Sequence, residues 1–189
     1  MRTIVAGVLG AIAMYLWATI AHVATPLATI GLKAVPNEPA VMAAMARNLG
    51  DKPGLYFIPF MVGTDQKAMA AQETKLKTAP AALVAYRPPG TGGMSGNQLI
   101  TEFVLELVES LLTAAVLAAA AGFSARLGMA AAIGLIAGMA TNLSYWNWYG
   151  FSLDYSLANA FTEFMKFVVA GAVISLVMGW RRRRDRRPM

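Results

Sequence analysis

Apolar positions in this chain come in blocks of two kinds. Four are long: about Thr3 to Gly31, Gln98 to Phe123, Leu127 to Trp148 and Ser156 to Trp180. Each reaches the roughly 20 residues that a helix needs to cross a hydrocarbon core of about 30 Å. The predicted fold is an all-α membrane protein with four transmembrane helices. Its parts are a first helix in residues 1–32, an inserted segment at 33–97, three further helices in 98–180 and a basic tail at 181–189.

The inserted segment has shorter periods. Asn37-Glu38-Pro39 offers an N-cap residue and a first-turn proline, Gly50 offers a stop, and Val41, Met42, Met45 and Leu49 fall on one helical face. Leu55-Tyr56-Phe57-Ile58 and Ala82-Leu83-Val84-Ala85-Tyr86 read as short strands bounded by Pro and Gly, and Thr64 to about Thr78 reads as a polar helix between them. A small α+β cap between the first two spanning helices is therefore expected. Arg87-Pro88-Pro89-Gly90-Thr91-Gly92-Gly93 holds no regular pattern, and Ser95 with Gln98 matches a capping box that opens the second long helix.

Charge orients the helices. The chain is 57% hydrophobic and 14% charged, with mean hydropathy +0.52 and net charge +6, values foreign to an ordinary soluble domain. Six of the sixteen Lys and Arg residues are Arg181, Arg182, Arg183, Arg184, Arg186 and Arg187, directly after the last helix. Such a cluster is held on the cytoplasmic side and attracts anionic lipid head groups. Counting back through four helices places the N-terminus and the Ser124-Ala125-Arg126 turn inside, and residues 33–97 and the 147–155 connector outside. The outside is the periplasm if the cell is Gram-negative. Seven basic residues in the cap do not oppose this, because long translocated segments escape the charge rule. The first helix runs past the length of a signal core and reads as a retained anchor. Tyr145, Trp146, Trp148, Tyr149 and Tyr155 then form an aromatic belt at the outer interface. The basic charge calls for no nucleic acid, since no groove-reading or base-stacking motif accompanies it.

Candidate chemistry is confined to a few polar residues. The absence of cysteine removes thiol nucleophiles, disulfides and thiolate metal sites. No Gly-x-Ser-x-Gly, His-Glu-x-x-His or phosphate-binding loop occurs. Glu102, Glu106 and Glu109 share one face of the second long helix, and Glu163 and Lys166 are spaced to pair on the fourth. His22 and Asn142 stand at comparable depth near the outer ends of their helices. Three arrangements fit. The glutamates bind cations of the cap, they line a proton or cation path, or two of them join His22 around a metal ion. No Glu-x-x-His pair supports a di-iron site, and one histidine cannot supply a bis-His haem. Met42 and Met45 suit Cu(I) by softness, but their spacing is also that of ordinary packing. Gly134 and Gly138 form a GxxxG surface and Gly7 and Gly10 a second one, for packing within the bundle or onto another membrane protein.

His22-Val23-Ala24-Thr25-Pro26-Leu27, Gly54-Leu55-Tyr56-Phe57, Tyr86-Arg87-Pro88 and Tyr145-Trp146-Asn147-Trp148-Tyr149-Gly150-Phe151 resemble segments of uncharacterised small bacterial four-helix inner-membrane proteins. The resemblance implies the membrane setting and brings no activity, cofactor or partner with it. The function expected is non-enzymatic: an integral accessory subunit or assembly factor whose partners are the bilayer and another membrane protein or a second copy. The alternative is a small ion, proton or metal transporter or channel using the Glu cluster. The inner halves of the second and fourth helices carry only Thr113 and Ser175 as polar residues, which opposes a continuous path in a monomer.

Overall fold

A computed structural model describes residues 1–184 of the protein, with side chains described through Gly179. It is mostly helical with one two-stranded sheet, and divides into two compact units. One comprises residues 1–32 and the chain from Met94 onward; the other comprises Lys33–Gly93.

The first unit is a bundle of α1 (Arg2–Val23), α4 (Gly96–Leu117), α5 (Phe123–Gly138) and α7 (Leu153–Arg184), with the short α6 (Ser144–Tyr149) extending α5. α1 ends eight residues before the expected Gly31, because Pro26 forces Thr25 into an extended backbone (φ −129°, ψ 163°). Thr25 then caps a single 3₁₀ turn, Pro26–Ala28. α4 opens on the expected capping box, in which Ser95 and Gln98 each accept from the other's backbone N–H. It stops at Leu117 rather than Phe123. Residues 118–122 make the turn, and Gly122 at φ +90° supplies the left-handed backbone that starts α5. Ser124, Ala125 and Arg126, expected as that turn, instead form the first turn of α5. A π-helical stretch, Met139–Leu143, joins α5 to α6, and α7 begins three residues earlier than expected.

Three helical stretches are long and apolar enough to span a membrane: Arg2–Val23, Phe123–Tyr149 and Leu153–Gly179. The fourth expected span, α4, is not among them. At 22 residues it is about 33 Å long. Its composition is what separates it, since Glu102, Glu106 and Glu109 fall in every 18-residue window of the helix.

Helices consecutive along the bundle's chain alternate in direction. Tyr15 meets Phe103 with ring centroids 5.6 Å apart, while Ser110 donates to the Gly7 carbonyl at 2.7 Å, so α4 runs opposite to α1. Trp17 Nε1 donates to the Thr162 carbonyl at 3.0 Å and Arg2 reaches the carbonyl of Val177, so α7 also opposes α1. α7 is the shared element, packed on α1 and on α5, whereas α4 lies mainly against α1. The core is built from Ala6, Met14, Ala114, Leu117, Ala130, Phe167, Ala170, Ile174 and Met178. Its many alanines let the backbones approach closely, which is how helices gain contact energy where lipid supplies no hydrophobic drive.

The second unit contains α2 (Glu38–Leu49), β1 (Gly54–Ile58), α3 (Gln66–Thr78) and β2 (Ala82–Tyr86), the order expected from the sequence. Asn37 and Asp65 cap the two helices through their side chains. The strands pair antiparallel, Gly54 opposite Tyr86 and Ile58 opposite Ala82. Tyr86 stacks edge-on against Tyr56 and donates to the Gly50 carbonyl at 2.8 Å, tying the strands to the end of α2.

Candidate functional site

The polar centre of the bundle is built around Lys166. Its ammonium lies 3.1 Å from Glu163, one turn earlier on α7, and 3.1 Å from Glu109 on α4. The Lys166 side chain is 6% exposed, against 40% for Glu109 and 37% for Glu163, so the cation is the buried member of the triad. Sequence spacing alone gives the Glu163–Lys166 pair. The Glu109–Lys166 pair needs α4 beside α7, which the pattern does not specify.

Glu106, one turn before Glu109, is fully buried and neither carboxylate oxygen has a hydrogen-bond partner. It faces inward because the opposite side of α4 is apolar: Ile100, Val104, Val108, Leu112 and Val116 recur every four residues and are all exposed. Glu102, the third member of the acidic stripe, is exposed and lies outside this centre. The cluster sits between the Tyr15–Phe103 and Gly7–Ser110 contacts, about halfway along α1.

Two expected members are elsewhere. His22 is exposed, and its Nδ1 is 2.9 Å from the Ala18 carbonyl of its own helix. Asn142 donates to the Gly138 carbonyl at 3.0 Å, inside the π-helical segment. The sequence places them near the glutamates by depth alone, and depth carries no information about which way a helix is turned. Among the described residues no group of three or more His, Cys, Asp or Glu is arranged to hold a metal ion. The proposed His22–glutamate metal site is therefore not assembled.

The small-residue surfaces are consumed inside the chain. A methyl group on Gly134 would stand 2.7 Å from the Phe164 carbonyl oxygen, and one on Gly138 2.6 Å from that of Ala160. Gly7 lies against Leu111, and Gly10 against Ser110 and Ile174. Tyr145, Trp146, Trp148 and Tyr149 are exposed at one end of the bundle. Phe151, which the sequence pattern did not single out, joins Tyr145 to Tyr155 through ring contacts of 5.4 and 5.6 Å. Arg181 to Arg184 extend α7 as backbone, while Arg186 and Arg187 lie outside the described residues.

Three further polar side chains, Arg126, Ser110 and Thr113, make backbone contacts that the sequence pattern does not specify. Arg126 is 7% exposed and donates to the Leu117 carbonyl at 3.1 Å, bracing the 118–122 turn from within. Ser110 and Thr113, on the cluster's α1-ward side, are spent on backbone carbonyls of Gly7 and Glu109. In the second unit, Met42 and Met45 line an apolar cavity of about 400 Å³ with Val84, Ala85 and Pro89, next to Arg87. Met42 itself is 58% exposed, and the lining holds no histidine or carboxylate. Comparison with protein-family models, with curated proteins and with solved structures gives no match.

Proposed function

We propose that the protein is a four-span component of a bacterial inner membrane that serves as a non-enzymatic accessory subunit or assembly factor of a larger membrane complex. Both termini are cytoplasmic in this reading and residues 33–93 are periplasmic. α4 serves as the fourth crossing because Glu106 is buried in the bundle and Glu109 is paired with Lys166, Glu102 alone of its carboxylates being exposed, and its outer face is the apolar ridge from Ile100 to Val116. Intramembrane carboxylates are tolerated when they face a bundle interior and a cation.

One observation carries the accessory role. In the 33–93 unit only Tyr86 and Pro88 are buried, while Leu55 is 70%, Phe60 69% and Val62 83% exposed. Some sixty residues with so small a core gain little from folding by themselves. A partner that covers the β1 strand and its exit at Phe60 and Val62 supplies the missing burial. The test is native mass spectrometry of the full chain, extracted in mild detergent at its natural expression level. A stoichiometric partner that is lost in Phe60→Ser/Val62→Ser, with the bundle still folded, is the expected result. A monomer or pure homo-oligomer in the wild type contradicts it.

A second reading, a small ion or proton transporter, is favoured by Glu106, a fully buried carboxylate without partners. It requires that Glu106→Gln with Glu109→Gln abolish flux in proteoliposomes while folding is retained. Wild-type flux no greater than that of empty vesicles removes it.

A further inference from the structure

The polar cluster around Lys166 holds more carboxylates than cations. Glu106, Glu109 and Glu163 converge near a single ammonium, Lys166, and two of the three carboxylates already contact it. Glu106 is left over, with no exposed atom and two oxygens that accept no hydrogen bond. A buried carboxylate in that condition carries a large desolvation cost unless a positive charge compensates it. Lys166 compensates it only in part, because its ammonium is already paired with Glu109 and Glu163. α7 contributes Lys166 and Glu163, α4 itself contributes Glu109 and the exposed Glu102, and α1 contributes Tyr15, whose ring is packed on Phe103. The nearby hydroxyl of Ser110 is donated to Gly7.

We propose that Glu106 is an exchangeable cation seat, at which one proton or one small monovalent ion binds the free carboxylate beside the Glu109–Lys166–Glu163 triad. The occupant carries a single charge, because the cluster's deficit is met partly by Lys166 and the residues do not form a multidentate metal site. When the occupant is a proton, an O–H bond forms on Glu106 and the cluster's net charge changes from −2 to −1. When it is an alkali ion, both Glu106 oxygens are available as ligands and no bond breaks. The two loading states differ in whether Glu106 can donate a hydrogen bond, so the packing of α4 on α1 and α7 is coupled to occupancy. This seat stands whether or not the cation goes on to cross the membrane, and it does not depend on the partner proposed for residues 33–93.

The test is infrared difference spectroscopy of the full chain in lipid nanodiscs, acid against alkaline in choline chloride, and sodium against choline chloride at fixed pH. A carboxyl C=O band that appears with acid in the wild type and is absent in Glu106→Gln establishes the proton seat. A sodium-dependent shift of the carboxylate stretch, lost in the same variant, establishes the alkali-ion seat. Glu106→Asp keeps the carboxyl and moves the band instead of removing it, which covers the case in which the Gln variant fails to fold. Acid and sodium spectra that superimpose for wild type and Glu106→Gln overturn the proposal. So does a wild type with neither signal.

Discussion

Glu109 on α4 and Lys166 on α7 meet at 3.1 Å across two helices that otherwise share far less surface with each other than either shares with α1. The ion pair is thus the specific bond that turns the acidic side of α4 inward. Without it, α4 has an apolar ridge outside and three glutamates with no reason to enter lipid.

Replacing Lys166 by Met removes the cation and leaves its carboxylates facing one another in a closed site. Breaking a buried pair from one side costs about 3–5 kcal/mol, and the half-exposure of Glu109 and Glu163 brings the expected loss to roughly 2–3 kcal/mol. Adding Glu109→Gln to Lys166→Met should return part of it. Unfolding in mixed detergent micelles gives the four corners of the double-mutant cycle. Strictly additive single and double variants would show that the two side chains do not interact.

Gly138→Ala tests whether the GxxxG surface belongs to the bundle. The added methyl meets the Ala160 carbonyl oxygen and carbon, which are backbone atoms of α7 and cannot turn aside. Overpacking of this kind costs about 1–3 kcal/mol, and Gly138→Leu is expected to prevent α5 from docking at all. A folded monomer with Leu at this position, lacking only a bound partner, would assign the surface to an external interface instead.

Arg126→Ala should loosen the turn at residues 118–122 without disturbing the far end of the bundle. Arg126 supplies a charge-assisted hydrogen bond to the Leu117 carbonyl, the last residue of α4, and such bonds contribute roughly 1.5–3 kcal/mol. Faster hydrogen exchange is expected for the amides of Ala118, Ala119 and Ala120, with the amides of residues 144–149 unchanged. Equal exchange in both proteins would show that the turn is held by its backbone bonds alone.

Much of this arrangement is written in local pattern. Ser95 and Gln98, Asn37 and Asp65 mark helix starts by side-chain chemistry that acts over three residues, and the strands at Leu55 and Ala82 are bounded by glycine and proline. The errors come from longer range or from competing local rules. Pro26 ends α1 while the apolar run continues, because hydropathy ignores backbone sterics. Gly122 starts α5 within an alanine-rich stretch that reads as continuous helix. The sequence reading sets His22 and Glu106 at comparable depth, yet His22 is exposed near the end of α1 and Glu106 is fully buried about halfway along it, since helix offset and rotation are set by packing partners that the sequence does not name. The Glu109–Lys166 pair belongs to the same class, 57 residues apart in the chain and adjacent only once α4 and α7 run side by side.

The claim on which the rest depends is that α4 crosses the membrane despite its three glutamates. The chain has no cysteine, so single reporters at Gly92→Cys and Ala119→Cys, on opposite ends of α4, can be labelled without background. With a membrane-impermeant maleimide in cells whose outer membrane alone is opened, the cysteine at position 92 is expected to react at once. The one at 119 should react only after the inner membrane is broken. Reaction of both reporters from the same side would contradict a fourth span.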